Sequence, residues 1–257
     1  MESIPHILAC DVGNSAVHLA HVHGEQVTPV QTFRLGELAG LGAALTELWR
    51  GTPQPRKIAA ASVNAQGLKA LEAVAAEALR QDVLVIGRDL PLPIDTDLPH
   101  PESIGVDRLC CAAAAYDRLG TACVVADFGT AVTVDCVSDE GVFLGGAILP
   151  GLSMSAAALH ERTAQLPQVT PRPVDWTFGN DTEQAIVGGL VRGARGALRA
   201  LVEAYATQLG RWPTVILTGG DALLVAGDLS DSDLVQAIVD DLAIRGIAAA
   251  YYRTLLK

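Results

Sequence analysis

One pattern occurs twice in the chain, in residues 7–22, ILACDVGNSAVHLAHV, and in residues 122–137, ACVVADFGTAVTVDCV. In each copy an apolar run ends at an aspartate, Asp11 or Asp127, a turn containing glycine follows, and a second apolar run leads away. Short apolar runs joined by tight turns are typical of neighbouring antiparallel strands. Two copies of the pattern predict two related β-meanders, although two matches of so short a pattern also arise by chance.

The segments beyond each copy extend the repeat, because helical periodicity alternates there with short β-branched runs. After the first copy the predicted elements are a helix over 38–50, a strand over 57–63, a helix over 68–80 and a strand over 83–86. After the second copy they are a strand over 142–148, a helix over 182–209, a strand over 214–217 and a helix over 233–255. Between the two sets, residues 91–101 are rich in proline and predict no regular structure, and a helix begins near Gly105.

This order of elements predicts an α/β protein built from two duplicated βββαβα units. We place the N-terminal domain at residues 1–118 and the C-terminal domain at residues 119–257.

Composition, net charge and the lack of targeting or membrane-spanning segments limit the classes of protein to which the chain can belong. The 257 residues are 50% hydrophobic but only 4% aromatic, which predicts a core of Ala, Val, Leu and Ile. The formal charge of −11 repels a nucleic-acid backbone, so we expect no nucleic-acid partner. The longest uncharged run, 141–160, contains glycines and Pro150 and predicts no membrane span. The N-terminus lacks the features of a signal peptide, so we expect a cytoplasmic protein whose five cysteines are reduced core thiols.

The two Asp-x-Gly turns suit phosphate binding. Glycine lets backbone amides approach a phosphate, a Ser or Thr hydroxyl adds a donor, and an aspartate at a strand end holds a divalent cation on phosphate oxygens. The alternative is ordinary hairpin chemistry, since tight turns favour Asp and Gly in any case.

A third glycine turn, Gly219-Gly220-Asp221, follows an apolar strand. Paired glycines let the backbone pass close to a flat ligand such as adenine, although a plain strand-to-helix turn explains them equally well. The chain contains neither GxxxxGK[ST] nor GxGxxG, and no lysine lies in a glycine-rich turn, which excludes a Walker-type mechanism.

Residues 105–108, GVDR, open an apolar helix. Asp107 beside Arg108 suits a general base next to an anion-binding guanidinium. The alternative is that the helix dipole alone favours an aspartate in the first turn.

Two further patterns in the sequence are weaker. His18, His21 and His23 are close in sequence, but only His21 and His23 share a strand face, so a metal site is the less favoured interpretation. Gly189 and Gly193 have the spacing that permits close helix packing, within one subunit or across a dimer.

Taken together, these motifs closely resemble the type III pantothenate kinases, in the superfamily of acetate and sugar kinases, heat-shock chaperones and actin. The resemblance covers nearly the whole chain and rests on the order and spacing of six short motifs: DVGNS (11–15), GVDR (105–108), DFGTAVTVD (127–135), LGGAILPGL (144–152), GNDT (179–182) and LTGGDA (217–222).

The resemblance implies two RNase H-like, actin-like ATPase domains with a nucleotide cleft between them. It implies ATP-dependent phosphorylation of pantothenate to 4′-phosphopantothenate, the first step of coenzyme A biosynthesis. It further implies a homodimer with shared active sites, Mg²⁺, and a monovalent cation, K⁺ or NH₄⁺, as activator.

The implied residues follow from the motifs. Asp107 is the catalytic base, and the pantothenate contacts are Gly105, Val106, Arg108 and, from the neighbouring subunit, Thr182. The implied ATP and phosphate residues are Asp11, Gly13, Asn14, Ser15, Asp127, Gly129, Thr130, Gly219 and Gly220. The implied metal residues are Asp11 and Asp127. For the monovalent cation we choose Asp135 on the strand leaving the second turn, against the alternative of a solvated aspartate at a strand end.

The chain departs from the family pattern before GVDR, at Leu98, His100 and Ser103, and these changes concern the pantothenate pocket more than the chemistry. Two other functions remain as alternatives: a sugar or acetate kinase of the same superfamily, and a nucleotide-binding regulatory relative without turnover. Retention of Asp11, Asp107 and Asp127 argues against the regulatory alternative.

Overall fold

The structure is a computed structural model that describes residues 4–227 and 234–255. The chain divides into two compact units. Unit 1 contains the residues up to Arg118 together with those from Asp241 onward, and unit 2 contains Leu119–Asp240.

Unit 1 is built on a sheet that starts with an antiparallel hairpin. Its strands are β1 (His6–Val12), β2 (Ala16–His23), β3 (Gln26–Val27), β4 (Gln31–Arg34), β5 (Arg56–Ser62) and β6 (Val83–Val85). The order across the sheet is β3-β2-β1-β5-β6, with β4 also paired to β2. β1 pairs antiparallel with β2, whereas β5 is parallel to both β1 and β6.

Helices cover both faces of this sheet. They are α1 (Leu41–Gly51), α2 (Ala65–Leu79), α3 (Val106–Leu119) and α7 (Leu242–Thr254). Because side chains alternate along a strand, Leu8 and Cys10 pack with α1 and α2, whereas Ile7 and Ala9 pack with α7. The strands are therefore apolar on both faces, as in α/β proteins.

Unit 2 repeats the same topology. Its strands are β8 (Cys123–Phe128), β9 (Ala131–Val137), β10 (Val142–Pro150), β11 (Thr214–Thr218) and β12 (Ala237–Ile238). They run in the order β12-β11-β8-β9-β10, antiparallel between β8, β9 and β10 and parallel between β8, β11 and β12. The helices are α4 (Leu152–Glu161), α5 (Thr182–Leu209) and α6 (Ala222–Ala226). One face of the sheet packs with these helices in a core that includes Val124, Ala126, Val134 and Leu198.

The predicted duplication is confirmed, because each unit has a three-strand antiparallel meander followed by two parallel strands in the same spatial order. The penultimate residue of the first strand is an aspartate in both, Asp11 in β1 and Asp127 in β8. The predicted domain limits differ from the observed units at one place. Residues from Asp241 onward belong to unit 1, because Ile244, Ile247 and Ala248 pack on the β1 side of its sheet.

Two local predictions were wrong, and one helix was not predicted. The predicted helix over 233–255 is shorter, because 237–238 form β12 and α7 begins at Leu242; residue 233 lies outside the described residues. The proline-rich segment contains a two-residue strand, β7 (Asp95–Thr96), and a single 3₁₀ turn, Pro101–Ser103. Helix α4 was not predicted, since its sequence, LSMSAAALHE, consists largely of small residues with no clear apolar stripe.

All five cysteines are buried and free, as predicted. Within residues 4–227 and 234–255, no helix is both long and apolar enough to cross a bilayer.

Candidate active site

The first phosphate turn lies at the end of β1. Val12 pairs with Val17 across the hairpin, and the N–H of Gly13 donates to the carbonyl of Ala16 at 2.9 Å. These contacts close the turn and leave Asn14 and Ser15 exposed at its tip. Asp11, one residue before Val12, is half-buried. The predicted turn thus exists, and it presents two polar residues and a carboxylate from one rigid strand end.

The second part of unit 1's site is the start of α3, where Asp107 and Arg108 are both half-buried. The Oδ1 atom of Asp107 accepts a hydrogen bond from the N–H of Arg108 at 2.8 Å. This hydrogen bond supports the alternative interpretation of the sequence, in which Asp107 is favoured simply because it lies in the first turn of a helix. It uses one of the two carboxylate oxygens, so a role as base is compatible with it.

The thiol of Cys110 in unit 1 is affected by the charges of both Asp11 and Asp107. Complete burial raises the pKa of this thiol well above its ordinary value, and the charges of Asp11 and Asp107 raise it further. Burial together with the Asp11 charge likewise raises the pKa of Cys10 to about 12. Both thiols are therefore held protonated, and the two site aspartates lie within electrostatic range of one sulfur, that of Cys110.

The rest of the GVDR segment is fixed by close packing. A Cβ on Gly105 would stand 2.5 Å from Oδ1 of Asp107 and 3.6 Å from Cγ1 of Val63. Any side chain at position 105 would therefore displace the carboxylate. Val106 packs against the apolar core on the α7 side of the sheet.

Sequence reasoning missed the β5–α2 junction that adjoins this segment. The N–H of Val63 donates to the carbonyl of Val12 at 3.1 Å, and Asn64 caps α2 by accepting from the N–H of Gly67 at 2.8 Å. An asparagine directly before an apolar helix was the available signal.

The positions where the chain departs from the family pattern form a local turn. The Nδ1 atom of His100 lies 3.4 Å from Oε1 of Glu102 at the surface, and the Ser103 hydroxyl donates to the carbonyl of His100 at 2.7 Å. Leu98 donates its backbone N–H to the Thr96 hydroxyl at 3.2 Å. All of these contacts are made within residues 96–103.

In unit 2, the second phosphate turn connects β8 and β9. The N–H of Gly129 donates to the carbonyl of Ala131 at 3.2 Å, which closes the turn as Gly13 does in unit 1. The carbonyl of Thr130 accepts from the N–H of Gly151 at 3.2 Å, just before α4. Gly151 was not predicted as a site residue, because helix α4, which it precedes, has no clear apolar stripe in the sequence.

The third glycine turn packs directly on the second. A Cβ on Gly219 would overlap Oδ1 of Asp127 and stand 2.7 Å from the nitrogen of Phe128. Gly219 also has a φ of +91°, which side-chain-bearing residues rarely adopt. Only glycine fits there, so the turns at Asp127 and Gly219 pack directly against each other.

Asp135 is 2% exposed and lies on β9 opposite Gly146 of β10. A Cβ on Gly146 would overlap its Oδ1 atom. Burial raises the pKa of the neighbouring Cys136 to about 11, with the Asp135 charge adding to the effect. The alternative of a solvated aspartate at a strand end is therefore wrong.

Thr182 is exposed at the first residue of α5, after Asp181, which caps the helix by accepting from the N–H of Gln184 at 2.7 Å. Gly189 and Gly193 are exposed on the same helix, and a Cβ on either would meet nothing within 4 Å. They line an apolar cavity of about 210 Å³ between α5, α4 and β10. Packing within the subunit therefore does not account for the glycine spacing.

The histidines make no recognisable metal site. His21 and His23 share a strand face, as predicted, and both stack on His6, with ring centroids 5.0 and 4.0 Å away. His18 instead contacts the Thr32 hydroxyl at 3.0 Å. Among the described residues, no three His, Cys, Asp or Glu side chains come together as a metal-binding group.

The two aspartates at the strand ends, Asp11 and Asp127, suit a divalent cation that takes only part of its ligands from the protein. Mg²⁺ prefers oxygen ligands and usually takes one or two carboxylates plus substrate phosphates and water. Asp11 and Asp127 each follow a buried strand and precede a closed glycine turn, which suits that partial coordination.

Comparisons with known proteins identify the family. A family model described as type III pantothenate kinase matches residues 7–204. A type III pantothenate kinase of Dehalococcoides mccartyi is 30% identical over 254 residues, 95% of each chain. Those of Akkermansia muciniphila and Rhodospirillum rubrum are 38% and 40% identical over 63% and 66% of this chain, and the alignments span 66% and 65% of those relatives.

Solved structures support the fold. A putative Baf family transcriptional activator from Campylobacter jejuni has a TM-score of 0.63 at 21% identity, covering 97% of this chain and 100% of its own. MreB5 of Spiroplasma citri, bound to ADP, has a TM-score of 0.52 at 10% identity, covering 98% and 97%. At these identities the likeness shows the fold alone, which is the actin-like one predicted from the sequence. With the family model spanning most of its length, the chain belongs to the type III pantothenate kinase family.

Proposed function

We propose that this family member transfers the γ-phosphoryl group of ATP to the 4′-hydroxyl of pantothenate, releasing ADP and 4′-phosphopantothenate. Family membership supplies the reaction. The observation that carries the residue assignment is the fixed carboxylate of Asp107 in the first turn of α3, whose Oδ1 accepts from the N–H of Arg108 at 2.8 Å, in the same unit as Asp11 at the end of β1. A phosphate-binding carboxylate near a proton-accepting carboxylate is what phosphoryl transfer to an alcohol needs.

In the proposed reaction, Asp107 accepts the proton of the 4′-hydroxyl while that oxygen attacks the γ-phosphorus. The bond from the γ-phosphorus to the bridging oxygen breaks, and ADP leaves. The hydrogen bond from the Arg108 N–H to Oδ1 holds the Asp107 carboxylate in one orientation. Such fixed geometry contributes to catalysis because the reacting groups need no reordering.

Arg108 is the proposed partner of the pantothenate carboxylate, since a guanidinium binds a carboxylate through two parallel hydrogen bonds. Gly105 and Val106 are the proposed backbone contacts. The close approach of Gly105 to Asp107, where a Cβ would stand 2.5 Å from Oδ1, supports this role because it places the backbone of residue 105 beside the proposed base.

For ATP, we propose that the turn at Gly13, Asn14 and Ser15 and the turn at Gly129 and Thr130 bind phosphate oxygens through backbone amides and hydroxyls. Gly219 and Gly220 are the proposed contacts for the adenosine part. Asp11 and Asp127 are the proposed residues for Mg²⁺. When bound, that ion neutralises phosphate charge, which matters in a chain of formal charge −11 with no lysine in these turns.

Asp135 is the proposed ligand of a monovalent cation, K⁺ or NH₄⁺. A buried carboxylate is stabilised by a cation within contact distance. Its burial at 2% and its position against Gly146 support a fixed, water-poor site.

We also propose a homodimer in which Thr182 completes the pantothenate pocket of the neighbouring subunit. The exposed Thr182 and the open surface at Gly189 and Gly193 lie on one helix, α5. Small residues of this kind permit the backbones of two helices to approach closely. The cytoplasm, where ATP is plentiful, is the proposed location.

The proposed function is tested by coupled ADP release with pantothenate, several sugars and acetate as separate acceptors. Turnover with pantothenate alone supports the proposal. Turnover with a sugar or acetate, or with none of the acceptors, contradicts it.

A further inference from the structure

The turn after β11 contains a carboxylate that the proposed reaction does not use. The backbone N–H of Asp221 donates to the carbonyl of Phe128 at 3.0 Å, which fixes this residue against the end of β8. Its side chain does not cap α6. Within residues 4–227 and 234–255 that carboxylate forms no hydrogen bond or ion pair. Asp221 is thus held in place by its backbone while its side chain stays available.

The two glycines before Asp221 differ in their surroundings. Gly219 is packed so tightly on Asp127 and Phe128 that a Cβ would overlap them. A Cβ on Gly220 would meet nothing within 4 Å. Packing therefore explains Gly219 but leaves open space beside Gly220. On the other side of Asp221, Leu223 is a large apolar side chain that is 69% exposed.

The charges around Asp221 indicate which part of a nucleotide its carboxyl contacts. Partial burial raises the pKa of its carboxyl, since removal from water disfavours the charged form. A nucleotide phosphate would repel this carboxylate, and Asp127 already supplies a negative charge next to Gly219. Vicinal hydroxyls are neutral and donate two hydrogen bonds to one carboxylate, as in dinucleotide-binding folds. The open space at Gly220 and the apolar Leu223 suit a flat base on either side of such a contact.

We propose that Asp221 binds the ribose hydroxyls of the nucleotide and makes this turn selective for ribonucleotides over 2′-deoxyribonucleotides. The inference rests on the proposed function only in taking ATP as the nucleotide. It does not depend on the acceptor.

The test is calorimetric titration of the full chain with Mg-ADP and with Mg-2′-deoxy-ADP. We expect the unaltered chain to bind ADP about tenfold more tightly than 2′-deoxy-ADP, because the carboxylate loses one charged hydrogen bond with the deoxy sugar. Asp221→Ala should weaken ADP binding about tenfold more than it weakens 2′-deoxy-ADP binding and so abolish the preference, because it removes both hydrogen bonds to ADP but only the 3′-hydroxyl bond to the deoxy sugar. Asp221→Asn, which keeps the volume, should reduce the preference in the same direction.

Glu140→Gln is the matched control, because it removes one exposed carboxylate from unit 2 away from this turn. It should leave both affinities unchanged. Equal affinity of the unaltered chain for the two nucleotides, or an equal loss of both in the Asp221 variants, overturns the inference. A chain that prefers ADP but does not phosphorylate pantothenate would contradict the proposed function and leave this inference standing. A chain that phosphorylates pantothenate but binds both nucleotides equally would contradict this inference and leave the proposed function standing.

Discussion

The Oδ1 atom of Asp107 accepts a hydrogen bond from the N–H of Arg108 at 2.8 Å, in the first turn of α3. One residue pair therefore combines a fixed carboxylate with a guanidinium at a helix start.

Asp107→Asn should lower turnover about 10²–10⁴-fold, because it removes the proton acceptor and keeps the side-chain volume. Nucleotide binding and the melting temperature should change little. The measurement is steady-state ADP release with pantothenate. Asp117→Asn is the control, since this exposed aspartate lies on the same helix and pairs with Arg253. A loss of less than about threefold in Asp107→Asn would assign Asp107 to the helix start alone.

Gly219→Ala and Gly220→Ala should behave differently although the residues are adjacent. Gly219→Ala should destabilise the protein by about 1–3 kcal/mol or more, because its φ is +91° and a Cβ would overlap Asp127 and Phe128. Gly220→Ala should change the unfolding free energy by no more than about 0.5 kcal/mol, because its surroundings are open. Chemical denaturation measures both. Equal effects on stability would show that the packing at Gly219 is not as described.

Stability should fall as the pH is lowered below neutrality, because burial lowers the pKa of His6, His18 and His21 from the ordinary value of 6.5. Below pH 6.5 the unfolded chain binds protons that the folded chain does not, so the unfolding free energy decreases toward the lower folded-state pKa values. Above that pH the histidines are neutral in both states and contribute no slope.

His21→Gln tests this account, because it removes a histidine whose ring nitrogen lies 2.8 Å from that of His6. The change in unfolding free energy between pH 7 and pH 5, from denaturant titrations, should be smaller in this variant. His160→Gln, at an exposed position in unit 2, should leave the change as it is. An unaltered pH dependence in His21→Gln would contradict the assignment.

Potassium or ammonium should stimulate turnover strongly over sodium at constant ionic strength, and Asp135→Ala should abolish that stimulation. ATP adds about four negative charges to a chain already at −11, so a cation held by a buried carboxylate offsets part of the repulsion. The measurement is ADP release with the monovalent ion exchanged. Equal rates in sodium and potassium would exclude the requirement, and undiminished stimulation in Asp135→Ala would exclude this ligand.

The local elements of the fold were predictable because each has a strong local signal. The strands around Asp11 and Asp127 are apolar runs bounded by glycine turns, and α5 has regular apolar spacing over its whole length. Helix α4 lacks such spacing, so its sequence gave no basis for a boundary. The place of α7 in unit 1 was unpredictable for a different reason: an apolar helix face does not itself specify which sheet it covers, and the structure shows that α7 packs with Ile7 and Ala9.

The candidate site likewise has some features that could be predicted from the sequence and others that depend on tertiary packing. The aspartates and glycine turns could be found from residue type and spacing. The burial of Asp135 could not, because it depends on Gly146 in the facing strand. The distinct roles of Gly219 and Gly220 were equally hidden, since they depend on how β11 approaches Phe128.

The most direct test of the central claim follows the phosphoryl group itself. The chain is incubated with pantothenate and ATP labelled in the γ-phosphate, in Mg²⁺ and K⁺, and the products are separated and identified by mass spectrometry. The account predicts label in 4′-phosphopantothenate in equal amount to the ADP formed, and almost none with Asp107→Asn. Label released only as inorganic phosphate, or no transfer from ATP by the folded chain, would contradict it.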